Sequence, residues 1–203
     1  MKLAASSWYP YRHQATALGQ LIAAPAFLCV PLDNLPAPPA DAGLGPFLAL
    51  LDDNSGQTVA GYMAIVETLD REHPDWHLIG TDPYSRSRAR TMTNRIEECF
   101  SRLCLADVAS HEQYPLAKWR GGSAAPARLR EEACNTLAVI EQMVCATPHR
   151  FVAGERASMA DALLAALSWT FEDYGLGTVF AEHQWLNAWR ARNCSGSPFV
   201  KSS

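Results

Sequence analysis

The stretch Gly154-Glu155-Arg156-Ala157-Ser158-Met159-Ala160-Asp161-Ala162-Leu163-Leu164 constrains the fold more than any other part of this chain. Ser158 stands three residues ahead of Asp161 at the head of an apolar run, which is the signature of a capping box. A hydroxyl at the first position accepts from the amide three residues on, and the carboxylate there reaches back to the first amide. Both bonds satisfy donors that a helix start otherwise leaves orphaned, and the negative charge suits the positive end of the helix dipole. Behind the box, Met159, Ala162, Leu163, Ala166 and Leu167 recur at three- and four-residue steps, with Ala160 and Ala165 between them. A helix this small and apolar is expected to be buried on most sides and to serve as a folding nucleus. Asp161 is then a capping group, not a catalytic one. Its loss should cost about 0.5–2 kcal/mol, the range for a cap.

The rest of the composition narrows the class. A chain of 203 residues holds one domain or two small ones, and folding would bury roughly 70% of its surface. Apolar residues make up 48% and charged residues 19%, as in an ordinary globular protein. The net charge of -4 argues against a nucleic-acid or anionic-membrane partner. Arg86, Arg88, Arg90 and Arg95 form the one notable basic cluster, and their spacing predicts a solvated helix face. Cys29, Cys99, Cys104, Cys134, Cys145 and Cys194 show no metal-type spacing. They read as free thiols in the core of a cytoplasmic protein. The histidines are equally scattered, so no metal site is expected. No segment reads as a signal peptide, and no apolar run reaches the roughly eighteen residues of a membrane span.

Taken in order, residues 1–7 suit a first strand. Pro10 suits the first turn of a helix, where its missing donor is not needed. Ala15, Leu18, Leu21 and Ile22 mark one face of that helix, and residues 26–30 form a compact strand-length run. Strand, helix and strand within about thirty residues predict a right-handed βαβ unit. Residues 33–45, rich in Pro, Ala and Gly, read as irregular linker. Residues 46–51, the turn Asp52-Asp53-Asn54-Ser55-Gly56 and residues 57–60 predict a hairpin. A helix follows over 62–69, with Met63, Val66 and Leu69 on one side. After a polar connection containing Pro74 the pattern turns helical almost to the end. Asp82 and Pro83 start a long helix lined by Ala89, Met92, Ile96, Cys99 and Leu103. Gly121-Gly122-Ser123 precedes a second, lined by Leu129, Ala133, Leu137, Ile140 and Val144. The boxed helix is third, and Trp185, Leu186 and Trp189 face inward from a last one over 182–192.

Four features in this order resemble the glutathione S-transferase superfamily across nearly the whole chain. They are the strand-helix-strand unit with its Pro-led hairpin, and Leu78-Ile79-Gly80-Thr81-Asp82-Pro83-Tyr84 ahead of an Arg-rich helix. The others are Phe151-Val152-Ala153-Gly154 with the capping box, and the closing Trp185-Leu186-Asn187-Ala188-Trp189. The resemblance implies an α/β N-terminal thioredoxin-like domain plus an all-α C-terminal helical domain. The expected division is residues 1–72, a linker over 73–81, and helices over 82–203.

The resemblance also carries expectations for individual residues. In this superfamily a Ser, Cys or Tyr after the first strand hydrogen-bonds the glutathione sulfur and favours its thiolate, beside a helix N-terminus. Met1 through Tyr11 is similar to bacterial members with Ser-Pro-Tyr at this point, which puts Tyr9 at the activating position and Ser6 and Ser7 just upstream. A phenol can donate the same bond; the alternative is that Tyr9 is an aromatic wall of the cleft. Arg12 either steers an anionic peptide or is a solvated helix residue. Pro46 stands where the superfamily has a cis-proline, and Gly45 before it would offer backbone bonds to the cysteinyl part of glutathione. Gly61 and Tyr62 occupy the positions where Glu or Gln followed by Ser holds the γ-glutamyl carboxylate, so here only backbone amides remain for that task.

Two functions follow as expectations. One is a glutathione transferase-like enzyme, with glutathione as co-substrate and a small hydrophobic electrophile against the helical domain. The other is a non-catalytic binding or regulatory protein of the same fold, with a degenerate glutathione site. A homodimer is implied by the resemblance alone. Reductase chemistry lacks the expected cysteine in the first helix turn, which Cys29 does not replace.

Overall fold

Strand β1 (Lys2–Ala5) lies at the centre of a four-stranded sheet, with β2 (Cys29–Pro31) parallel to it on one side and the antiparallel hairpin of β3 (Leu48–Leu51) and β4 (Thr58–Ala60) on the other. The computed structural model describes residues 2–5, 9–22, 29–31, 48–51, 56–110, 124–195 and 198–199. Leu3 pairs with Cys29 and with Leu50, so the registers of both neighbours are pinned through one residue. Helix α1 (Tyr9–Ile22) crosses between the parallel strands, and Ala15, Leu18 and Ile22 are buried as the periodicity predicts. The linker over 33–45 and the turn over 52–55 lie outside the described residues.

Helix α2 (Tyr62–Glu72) follows β4. Its buried side is Tyr62, Ile65, Val66, Leu69 and Asp70, whereas Met63 is only half-buried. The apolar stripe is therefore rotated toward Tyr62 relative to the face expected from Met63. A single 3-10 turn (Pro74–Trp76) leads on to the helical part.

Helix α3 (Pro83–Ser110) begins as predicted. The Asp82 carboxylate accepts from the amides of Tyr84 and Ser85 at 2.9 and 3.1 Å and from the Ser85 hydroxyl at 2.7 Å. Those bonds hold the carboxyl below its ordinary range. Ala89, Met92, Ile96, Cys99 and Leu103 are all buried. Helix α4 (Ala125–Ala146) packs along α3 through Ala133, Leu137, Ile140 and Val144. Two short helices follow the boxed one, α6 (Gly177–Glu182) and α7 (Gln184–Asn193), of which the sequence reading anticipated only the latter. The Glu141 carboxylate on α4 accepts from the Trp185 and Leu186 amides at 2.8 and 3.0 Å, so a side chain distant in sequence caps α7.

The boxed helix, α5 (Met159–Asp173), is buried at every position from Met159 to Phe171. Both arms of the capping box are present. Asp161 does more than cap. Its Oδ2 accepts from the Ser158 amide at 2.9 Å and the Ser158 hydroxyl at 3.0 Å, while Oδ1 accepts from the Val152 amide at 2.9 Å and the Trp189 indole N–H at 3.1 Å. One carboxylate thus ties the preceding loop, α5 and α7 together.

Of the arginine cluster, Arg88 departs from expectation. Arg88 donates to the carbonyls of Val152 and Thr147 at 3.0 Å each, clamping α3 to the end of α4 and the loop before α5. Arg86 pairs with Asp70 at 3.3 Å, and Arg90 with Glu67 at 3.2 Å. Arg86, Arg90 and Arg95 are exposed, as expected of a solvated face, whereas Arg88 is half-buried. Among the thiols, Cys99 and Cys104 are buried as expected, but Cys145 is exposed.

Because removing the Asp161 carboxylate strands several buried donors at once, Asp161→Ala should cost about 3 kcal/mol or more, above the range for a cap alone. Denaturant unfolding measures this. Burial lifts the Asp161 carboxyl from 3.8 to about 6, against the pull of its four hydrogen bonds. The folded state therefore holds an extra proton between those values, and stability falls as pH rises from about 4 to about 6, then levels off. The stability of the wild type minus that of Asp161→Asn should shrink across this window, by on the order of 3 kcal/mol. A difference that stays flat or grows would contradict this assignment.

Candidate functional site

The first turns of α1 and α2 and the inward face of α3 build the candidate site. Pro10 and Tyr11 follow Tyr9, the first residue of α1. The side chain of Tyr9, with Ser6, Ser7, Gly45 and Pro46, lies outside the described residues. Pro10 is buried and Tyr11 half-buried, which turns this end of α1 inward, whereas Arg12 on the next step of the helix is exposed. Among the described residues Arg12 has no hydrogen-bond or ion-pair partner.

Gly61 precedes α2 with φ 92° and ψ 141°. Its amide donates to the Leu48 carbonyl at 3.1 Å and its carbonyl accepts from Ile65 at 3.0 Å, so β3 holds the start of α2 in place. A Cβ at Gly61 would meet no atom. The positive φ is what favours glycine here. No side chain caps α2, and its first turn carries no acidic residue. The leading amides are thus left to water or a ligand, at the positive end of the helix dipole.

Tyr62 points the other way. Its side chain is buried and its hydroxyl donates to the Met159 carbonyl at 2.7 Å, at the first turn of α5. Burial pushes its phenol far above the ordinary range, with Glu97 and Asp161 adding to the effect, so it stays protonated and donates. What Tyr62 can offer a ligand is its backbone amide.

The face of α3 opposite these turns carries groups that sequence reasoning missed. Tyr11 meets Phe100 edge to face, with ring centroids 6.2 Å apart. The Tyr11 phenol and the Cys104 thiol act on one another, and burial raises both groups, Cys104 to about 12. At neutral pH Cys104 is a thiol, not a nucleophile. Glu97 is half-buried, and loss of water raises its carboxyl. Glu97, Phe100 and Cys104 fall at steps of three and four along α3, so the sequence puts them on one helix face, though not beside Tyr11. The seam therefore offers an aromatic wall, one half-buried carboxyl, and the uncapped amides of α2.

The two parts of the chain are bolted together around this seam. His13 Nε2 lies 2.6 Å from Asp173 Oδ2, with the His13 ring edge to face on Trp169 at 5.6 Å. The Met159 amide donates to the Leu78 carbonyl at 2.8 Å, and the Ile79 amide to the Asp70 carboxylate at 3.3 Å. No described helix is long and apolar enough to cross a membrane.

Replacing Tyr62 by Phe keeps the ring but leaves the buried Met159 carbonyl without its donor, so it should cost about 1–2 kcal/mol of unfolding free energy. An unchanged denaturation midpoint would show that water replaces the hydroxyl.

No protein-family profile and no curated protein sequence matches the chain. Solved structures do match it over its whole length. Gtt2 from Saccharomyces cerevisiae has a TM-score of 0.77 at 21% identity, with 98% of each chain covered. A glutathione S-transferase from Methylobacillus flagellatus with glutathione bound has a TM-score of 0.78 at 19% identity, covering 98% of this chain and 96% of that one. Maleylpyruvate isomerase from Pseudomonas aeruginosa has a TM-score of 0.74 at 18% identity, covering 98% and 94%. Likeness of this extent at low identity shows the architecture: the chain has the glutathione S-transferase fold.

Proposed function

We propose that the protein is a glutathione transferase-like enzyme that presents glutathione as a thiolate to a small hydrophobic electrophile. The uncapped N-terminus of α2 carries this reading. The Tyr62 amide at that start, behind the Gly61 amide that is held by Leu48, suits a carboxylate, and one matched structure of this fold holds glutathione.

On this reading Tyr9, or else Ser6 or Ser7, donates to the glutathione sulfur and lowers its pKa, and the N-terminus of α1 favours the same charge. Gly45 and Pro46 hold the cysteinyl backbone, the Tyr62 amide, set in place by Gly61, holds the γ-glutamyl carboxylate, and Arg12 attracts the anionic peptide. The sulfur then forms a bond to the electrophilic carbon, and the displaced electron pair leaves with the leaving group or passes to a conjugated acceptor. The enzyme works as a cytoplasmic homodimer, with domains over 1–72 and 82–203 joined by 73–81.

A second reading is a non-catalytic binding or regulatory protein of the same fold. The buried Tyr62 side chain favours it, because the position that would supply a ligand-facing hydroxyl is committed to Met159.

Calorimetric titration with glutathione separates the two. Saturable binding at millimolar concentration is expected for the enzyme, and its absence removes that reading. Once binding is established, Tyr9→Phe should lower turnover by about tenfold or more and raise the apparent pKa of the bound thiol. Unchanged kinetics would move the role to Ser6 or Ser7.

A further inference from the structure

A pocket of about 330 Å³ opens where the connection over 77–85 meets the loop over 149–158. That volume is in the range of small-molecule sites. Its floor is largely apolar, formed by Ala153, Ala157 and the ring of Tyr84, which is 62% exposed. His77 on its rim is held in the left-handed conformation at φ 52°. A residue other than glycine adopts this rarely, and such positions cluster at functional sites.

The charges on the wall decide what the pocket can take. Asp82 is consumed as the cap of α3, accepting from Tyr84, Ser85 and Thr81. Glu155 is paired with His149 at 3.1 Å. Ser158 is bonded to Asp161. Among the described residues, the side chains of Arg156, His77 and Tyr84 take no hydrogen bond or ion pair. Arg156 is the one cationic Lys or Arg side chain on the wall, and among the described residues it has no ion pair. A guanidinium fork matches a carboxylate in two parallel bonds. An aromatic ring beside it offers a flat apolar platform.

We propose that this junction pocket binds a small aromatic carboxylate, with its carboxylate on Arg156, its ring against Tyr84, and His77 as a further donor at the rim. The site is separate from the proposed glutathione site and does not depend on it.

The test is a calorimetric titration of the full chain with benzoate, without glutathione, against benzylamine as the ligand of similar shape and opposite charge. Saturable one-to-one binding of benzoate is expected, with benzylamine weaker by about tenfold or more. Arg156→Gln should lose about tenfold in benzoate affinity and Tyr84→Ala several-fold. Both side chains are exposed, so unchanged melting temperatures will show that the variants fold. Absence of saturation, equal binding of benzylamine, or unchanged affinity in either folded variant overturns the proposal.

Discussion

The Asp161 carboxylate is the interaction on which the rest of the helical part depends. It is fully buried, yet four N–H and O–H donors from three segments converge on it. Taking a carboxylate out of water is costly, and only such a set of donors makes the charged form tolerable. Burial still prevails in lifting its pKa to about 6. The group therefore sits near the point where its charge is barely supported. The return on this arrangement is geometric: the loop over 151–157, the start of α5 and the indole of α7 have a single mutual placement that satisfies all the donors.

That placement reaches the candidate site through two bonds. Met159, the first residue of α5, donates its amide to Leu78 and accepts from the Tyr62 hydroxyl with its carbonyl. Tyr62 is also the first residue of α2, whose leading amides have no side-chain cap. Gly61 fixes the other side of the same turn by bonding to Leu48 in the sheet. The amides available to a ligand are thus held by β3 from one direction and by α5 from the other. Preorganised donors of this kind lose little entropy on binding.

Much of the scaffold was legible in the sequence because its signals are local. Asp82-Pro83 and Ser158-Asp161 mark helix starts by chemistry that acts over three residues, and the apolar spacing of α3 and α4 follows directly from helix geometry. What could not be read depends on contacts distant in the chain. Glu141 caps α7 across more than forty residues, and Arg88 clamps carbonyls some sixty residues away. That the Tyr62 ring is buried and its hydroxyl reaches the Met159 carbonyl of α5 depends on a contact nearly a hundred residues away. The grouping of Tyr11, Phe100 and Cys104 likewise requires two helices to meet, which no single periodicity announces.

The short bond between His13 and Asp173 bears on how the molecule comes apart. His13 belongs to the first helix and Asp173 to the last turn of α5, and the histidine is almost wholly shielded from water. If the sheet and its helices opened while the helical bundle stayed intact, this imidazole and carboxylate, the Tyr62 hydroxyl and the Asp70 carboxylate would all exchange their partners for solvent together with a large apolar surface. Such partly opened forms lie high in free energy, so the chain should melt as one cooperative unit, with no populated state in which one half is folded.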